Sequence, residues 1–544
     1  MTQRLTSADV VVGSLIAHGV DTVFAIPGVQ TYHLFDAFHR NAEHIRVIGP
    51  RHEQTTAYMA FGYAKSTGRE GVYSVVPGPG ILNAGAALCS AYGASTPILC
   101  LTGQVPSEFI GSGKGHLHEL PDQLATLRTL TKWAARIEHP TQAADLTAEA
   151  FKQMRTGRPR PVALEMPWEV FGQQAMLPAP AAPMRFAPLA PDPADIDRAV
   201  ALLREAKHPM ILVGSGAMAA GREVLALAER LQAPIVSFRG GRGVTSDEHP
   251  LTLTCAAGYQ RWAHTDVVIG IGSRLELQWF RWPRPPQPMK VINIDVDPSQ
   301  TARLRPDVAV VSDAALGARA LDAALADAGV QRASRHDEFQ ALKDRTWAAV
   351  QKVQPQLDFL KAIRAALPRD GFFVEEICQA GFASYYGLPI YEPRTFVTCG
   401  HQGTLGFGFP TALGVKAGNP DKAVVAITGD GGFMFGMQDL ATAAQYNLGV
   451  VTVLFDNGAY GNVLRDQKRV FAGRVIGAEL RNPDFVKLAE SFGVHGTRAN
   501  TPVDLQREIA LAIDRNAPAL IVVSVDPTTE VSPWEFLMPA PYSV

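Results

Sequence analysis

Short runs of β-branched and other apolar residues recur along the chain, separated by longer stretches with apolar positions at helical spacing. The first third carries DTVFAIPG, IRVIGP, GVYSVVPGPG and PILCLTG. The middle carries PMILVGSG, PIVSF, DVVIGIGS and KVINIDVD, and the last third AVVAITGDG, VVTVLFDNG and ALIVVSVD. These runs lack the polar alternation of a half-wetted sheet, so they read as parallel strands covered on both faces by helices. The pattern breaks at residues 176–193, rich in Pro and Ala without a period, which reads as an extended crossing segment. A weaker break falls at 330–356, where a polar helical stretch ends. The pattern predicts an α/β chain of three doubly wound parallel-sheet domains, over residues 1–175, 190–330 and 355–544. Several strands end in Gly-containing turns, the usual ligand position in an open α/β sheet.

Composition adds exclusions. The 544 residues are 47% hydrophobic and 19% charged, enough for large cores and against disorder. With 50 basic and 52 acidic residues, no general polyanion surface is expected, and nucleic acid is not an expected partner. A local phosphate site stays open. The cysteines, at 89, 100, 255, 378 and 399, are odd in number and form no CxxC pair, which points to reduced thiols. The N-terminus lacks a signal-peptide core and cleavage site, and no run of 18 apolar residues occurs. A cytoplasmic protein without a membrane span is the expectation.

The richest chemistry lies in AITGDGGFMFGMQDLATAAQYNLGVVTVLFDNGAYGNV. A strand runs into Gly429-Asp430-Gly431, a helix follows, and a second strand delivers Asp456-Asn457-Gly458. This βαβ spacing brings Asp430 and Asn457 to the carboxyl ends of neighbouring strands. A carboxylate oxygen from Asp430, an amide oxygen from Asn457 and a backbone carbonyl near Ala459 make a hard-oxygen set suited to Mg²⁺, completed by water and phosphate oxygens. Gly429, Gly431 and Gly432 let a diphosphate approach the backbone, and the following helix N-terminus favours its charge. GDG by itself is equally an ordinary strand-turn-helix with an N-cap Asp.

With the spaced Asn in place, the segment resembles the thiamine diphosphate (ThDP) enzymes, whose signature is GDG, some 25–30 residues, then Asn-Asn. Asp456 stands at the first Asn, and Asn457 matches the metal ligand. The likeness covers essentially the whole chain, in the order pyrimidine-binding, central Rossmann-like and diphosphate-binding domain, and is most similar to acetolactate synthase and benzoylformate decarboxylase. It implies cofactor contacts from Tyr460 and Gly461 as well as Ala459.

The first third carries a second match. GPRHEQTTAYMAFGYAKSTG is similar to the family's Arg-His-Glu-x-x-Ala pattern, which implies that Glu53 bonds N1′ of the aminopyrimidine and promotes the imino tautomer that deprotonates the thiazolium C2. Positioned acid–base groups of this kind are typically worth 10²–10⁴ in rate. Alone, Glu53 is equally a first-turn Glu favoured by the helix dipole. Gly78-Pro79-Gly80 with Asn83 resembles the turn beside the pyrimidine pocket, though a turn and N-cap explain it as well. Pro27 and Gly28 belong to that side too. In CGHQGTLGFGFPTALG, Leu405 aligns with the bulky residue that props the cofactor into its bent form, beside Gln402; an ordinary core leucine is the plainer reading.

The resemblance implies decarboxylation and/or carboligation of a 2-oxo acid through a C2 ylide and an enamine, acetolactate synthase-like. Benzoylformate decarboxylase-like release, and acyloin or 2-hydroxyacyl-CoA lysis, are the alternatives. Pocket candidates are Val29, Gln30, His116, His118, Glu119, Gln379 and His401. His118 stands where acetolactate synthases carry Gln, and His118 and His401 are candidate catalytic groups that titrate near neutral pH. LTLTCAAGYQ replaces the Met-rich loop that touches FAD in acetolactate synthases, which puts FAD in doubt. The C-terminal lid also differs, although Trp534 is placed to close over a site. Gly214 and Gly216, with Asp295 and Asp297, form a degenerate nucleotide pattern, weak by itself. A flavin- or nicotinamide-linked oxidoreductase is the reading outside this family, and it leaves Glu53 and Asp430 unexplained. The cofactor is expected between two subunits, Glu53 from one and Asp430 with Asn457 from the other, in a homodimer at least and a homotetramer by expectation.

Overall fold

A computed structural model describes residues 2–178, 180, 183, 184 and 186–540. The chain forms three six-stranded sheets, each with helices packed on it, and one two-stranded ribbon. In the first domain the strands, in chain order, are Thr22–Ala25, Arg46–Ile48, Gly71–Val75, Ile98–Gln104, Trp133–Arg136 and Val162–Pro167. They lie side by side in the order second, first, third, fourth, sixth, fifth, all parallel. The third domain, from Phe372–Val374, Phe396–Val397, Val424–Gly429, Val450–Asp456, His495–Arg498 and Ala519–Ser524, repeats that order. The central sheet differs. Its strands Pro209–Val213, Ile235–Ser237, Thr252–Thr254, Val267–Ile271, Lys290–Asp295 and Val308–Val311 run third, second, first, fourth, fifth, sixth. This is the Rossmann order, with its switch point between first and fourth strands.

The Pro/Ala stretch expected to be aperiodic begins as a strand. Gln174–Pro178 pairs antiparallel with Thr2–Thr6, register Thr6↔Gln174, and closes the first domain. Residues 179, 181, 182 and 185 of that stretch lie outside the described residues. No helix among the described residues is long and apolar enough to cross a membrane, and all five cysteines are free thiols.

The equivalent helices of the first and third domains, Glu53–Thr67 and Gly408–Gly418, pack on each other. His52 caps the first, its Nδ1 accepting the Gln54 N–H at 3.1 Å, and Gly68 ends it in the left-handed conformation. Both helices are buried nearly all round, the first with the hydroxyl residues Thr55, Thr56 and Ser66 among its buried positions. Small residues let their backbones touch. A Cβ on Gly62 would lie 2.1 Å from the Thr411 carbonyl oxygen, and one on Gly414 would lie 2.0 Å from that of Met59. Each helix thus presents a glycine three residues from the carbonyl that meets the other's glycine. Phe407, fully buried, sits beneath the crossing with edge contacts to Tyr58 and Phe61.

Candidate active site

Val424–Gly429 and Val450–Asp456 are adjacent parallel strands, Gly429 opposite Phe455, so Asp430 and Asn457 emerge side by side. Both line one cavity of about 220 Å³, together with Gly429, Gly431, Gly432, Ala459, Tyr460, Gly461, Leu405, Gln379 and Glu530. Asp430 is 2% exposed, and burial pushes its carboxyl above the usual range. Its Oδ1 accepts the Gly431 N–H at 2.8 Å and its Oδ2 the Asn482 Nδ2–H at 2.7 Å. The Asn457 amide donates to Glu530 Oε2 at 2.9 Å, which turns its oxygen the other way, toward the Ala459 N–H at 3.2 Å. The short ladder between 458–460 and 478–480 bonds Tyr460 to Ala478 and Leu480 to Gly458. Ala459 itself is the non-bonded position of that ladder. The Tyr460 ring leans on Gly431, where a Cβ would sit 2.5 Å from it.

Other residues close the cavity from behind. Glu376 is fully buried and pushed up to about 7 by that burial. Its Oε1 accepts the Gly406 and Phe407 N–H groups and abuts Gly432, bracing the turn after Leu405. From the C-terminal segment, Trp534 donates its indole N–H to Asn462 Oδ1 at 2.7 Å and packs at a tilt against Phe382, while Arg465 bonds Gln379 at 2.9 Å.

The first-domain candidates gather at that sheet's carboxyl edge. Glu53 opens its helix, and Asn83 donates to its Oε2 at 3.0 Å. The flanking backbone is held from the third domain: buried Asp439 accepts the Arg51 N–H at 2.7 Å and the Thr55 hydroxyl at 2.5 Å. Gly78, at φ +62°, gives its N–H to Gln123, which bonds the fully buried Glu165 at 2.8 Å; Arg136 neutralises that carboxylate at 2.5 Å. A Cβ on Gly78 would meet the His118 carbonyl oxygen at 2.6 Å. His118 Nδ1 lies 2.9 Å from Gln30 Oε1, and burial, with the nearby His116, lowers its pKa. Glu119 accepts the N–H groups of Gly113, Gly115 and His116, and so shapes the loop. The His116 ring stacks on Phe109. Pro27, with Gly28 beside it, is exposed, and Gly28 packs on Val76, where a Cβ would sit 2.4 Å away.

His401 faces elsewhere. It lines a cavity of about 140 Å³ between the three domains, with Lys65, Arg158, Arg274 and Arg394, and burial with Arg274 lowers its pKa. Gln402 lies against Gly93, whose Cβ would stand 2.8 Å from its Cγ. The segment therefore points His401 toward the central domain and Leu405 toward Asp430. In the central domain Gly214 and Gly216 pack directly on Gly272, and Asp297 faces Arg158 at 3.6 Å. Sequence reasoning passed over Asn482, Glu530, Glu376 and Asp439. Each acts through a contact distant in the chain, so no periodicity or spacing marks it.

The residues around the 220 Å³ cavity suit a diphosphate with its cation: a buried anion, an amide oxygen and a ladder-free carbonyl, set among glycines a side chain would block. The architecture and this cavity define a three-domain α/β cofactor protein with two alike sheets flanking a Rossmann-ordered one. Three family models match it: thiamine pyrophosphate enzyme, N-terminal TPP binding domain over residues 5–126, central domain over 196–321, and C-terminal TPP binding domain over 376–523. The chain belongs to the thiamine pyrophosphate enzyme family and is a ThDP-dependent enzyme. It is 33% identical to a probable 2-ketoarginine decarboxylase of Pseudomonas aeruginosa, over 95% of this chain and 94% of that one. It is 31% identical to a probable acetolactate synthase large subunit of Methanocaldococcus jannaschii (96% and 92%). With the acetolactate synthase isozyme 3 large subunit of Escherichia coli the identity is 30% (98% and 97%).

Proposed function

We propose that the protein uses ThDP and Mg²⁺ to decarboxylate a 2-oxo acid, and that the product is protonated or joined to a second carbonyl, acetolactate synthase-like. The observation that carries this is the convergence of Asp430, Asn457 and Ala459 on one glycine-walled cavity. Asp430, Asn457 and the Ala459 carbonyl would hold the ion. Gly429, Gly431, Gly432, Tyr460 and Gly461 would admit the diphosphate, and Leu405 would support the bend between the rings. When bound, the thiazolium supplies a carbon nucleophile and an electron sink for loss of CO₂. Glu53 would hold the proton shared with the aminopyrimidine N1′, and Asn83, which donates to its Oε2, would keep that carboxylate aimed. Pro27, Gly28 and Gly78 would form the wall around that ring. His118, whose Nδ1–H is held by the Gln30 Oε1, would offer its other ring nitrogen as a proton acceptor on the substrate side. His401, on the central-domain side, has the weaker geometric support for a catalytic role.

A second copy of the chain would complete the site. The cavity around Asp430 is lined by residues 377–530 alone. Glu53 is anchored at the far end of the 430–439 segment, through Asp439. Mixing chains tests this. Glu53→Gln and Asp430→Ala should each be inactive, whereas co-refolded mixtures should regain about a quarter of wild-type activity, since half the dimers are hybrids with one intact site of two. No regain sinks the shared site. For the reaction, CO₂ release is followed with pyruvate, benzoylformate and 2-ketoarginine, with and without ThDP and Mg²⁺. Release that is indifferent to ThDP sinks the function.

A nucleotide in the second cavity is favoured by the Rossmann strand order and by the guanidinium groups of Arg158, Arg274 and Arg394. FAD there would show as visible absorbance of the purified protein, and a colourless protein excludes it.

A further inference from the structure

Asp456 stands where the family signature has its first Asn, and its partner in this fold is Asn482. The Asn482 Nδ2 donates to Asp430 Oδ2 at 2.7 Å and to Asp456 Oδ1 at 2.8 Å. Both acceptors are carboxylate oxygens, so only the NH₂ end of the amide can face them, and its orientation is determined. Asp430 Oδ1 is held separately by the Gly431 N–H. Both oxygens of that carboxylate are therefore anchored, each with lone-pair capacity left for an ion. The same stretch of chain pairs with 458–460 and keeps Ala459 in its non-bonded ladder position. One segment, 478–482, thereby sets two of the three donors.

We propose that Asn482 is a positioning residue that, with Asp456, pre-sets the Asp430 carboxylate for a divalent cation; this rests on the ThDP and Mg²⁺ reading above. Two neighbouring carboxylates would otherwise repel and swing apart, and the bridging NH₂ group satisfies both. Outer partners of this kind typically change metal affinity 10–100-fold when removed. Asp456 is then no loss of the signature Asn, because the bridge needs only an acceptor oxygen there.

The test is a Mg²⁺ titration of ThDP binding to the full-length protein, read by intrinsic tryptophan fluorescence and repeated by calorimetry. For Asn482→Ala the apparent Mg²⁺ dissociation constant should rise about 10–100-fold, with ThDP binding recovered at saturating Mg²⁺. Asp456→Ala should move it the same way by less, and Asp456→Asn, which keeps an acceptor oxygen, by less than about threefold. An unchanged Mg²⁺ dependence in Asn482→Ala overturns the proposal. So does a loss of ThDP binding that no Mg²⁺ concentration restores, since that marks a merely structural role. Should Asn482→Ala not fold, the two Asp456 variants decide by the same readout. Wild-type protein that binds ThDP without regard to Mg²⁺ removes the underlying reading instead, and the proposal with it.

Discussion

The first and third domains share a strand order, and each follows its third strand with a Gly-X-Gly turn: Gly78-Pro79-Gly80 in one and Gly429-Asp430-Gly431 in the other. Position in the fold is the same; the middle residue is not. Pro79 pre-sets a turn and opens a short helix, and the neighbouring Gly78 N–H goes to Gln123. Asp430 brings a buried carboxylate to the matching place, where Asn482 and the Gly431 N–H hold its two oxygens. The helices before these turns differ in the same manner. One begins with Glu53, which can exchange a proton, and its counterpart begins with Gly408, packed on Glu376. A duplicated scaffold carries different polar groups at its two ends, and single residues at equivalent positions make the distinction.

Substitutions that erase the distinction should be the most damaging. Asp430→Ala is expected to abolish Mg²⁺-dependent ThDP retention and all turnover, checked by calorimetry and CO₂ release; retained binding would mean the two turns are equivalent after all. Glu53→Gln should keep the fold and the cofactor but lower turnover about 10²–10⁴-fold. Wild-type rates in that variant would leave the first domain a passive wall.

The packing between the twins can be broken symmetrically. Gly62→Ala and Gly414→Ala each force a methyl onto a facing carbonyl, and each should destabilise by about 1–3 kcal/mol or more in denaturant titrations. The double variant should cost less than the sum, because the first methyl already opens the crossing. Strictly additive losses would deny that the two glycines share one contact.

Glu376 gives a smaller, pH-dependent effect. Burial holds its carboxyl at about 7, above the ~4.3 of an exposed Glu. Between those values the folded chain keeps a proton that the unfolded chain has lost. Its contribution is full below about pH 4 and is lost as pH rises through about 7. Glu376→Gln should therefore gain melting temperature relative to wild type as pH goes from 5 to 8, and a flat difference would contradict the burial. Smallest of all, Pro79→Ala should cost only about 0.4–1 kcal/mol, through the unfolded chain's added freedom, and leave ThDP binding intact.

Legibility in the sequence followed the range of each interaction. The parallel sheets were visible because strands buried on both faces, such as Val424–Gly429 and Val450–Asp456, must be apolar throughout. Asp430 and Asn457 were visible because one βαβ unit brings them together, whereas Glu53, by itself an ordinary first-turn Glu, stood out only through its likeness to the family's Arg-His-Glu-x-x-Ala pattern. The start of the Pro/Ala stretch read as aperiodic, yet Gln174–Pro178 forms a strand, because its partner Thr2–Thr6 is at the other end of the domain. His401 and Leu405, four residues apart, could not be sorted between two cavities by spacing alone.

What the amino-acid sequence determined unaided was the local grammar: apolar runs, glycine turns, and carboxylate and amide at a βαβ interval, since these depend on neighbours along the chain. The tertiary structure decided the rest. Asn482 bridging two carboxylates, Glu530 turning the Asn457 amide and Asp439 reaching into the Glu53 helix all join residues tens to hundreds of positions apart. Such contacts leave no period in the chain, because they exist only where segments far apart in sequence meet, within the third domain for Asn482 and Glu530 and between the first and third for Asp439.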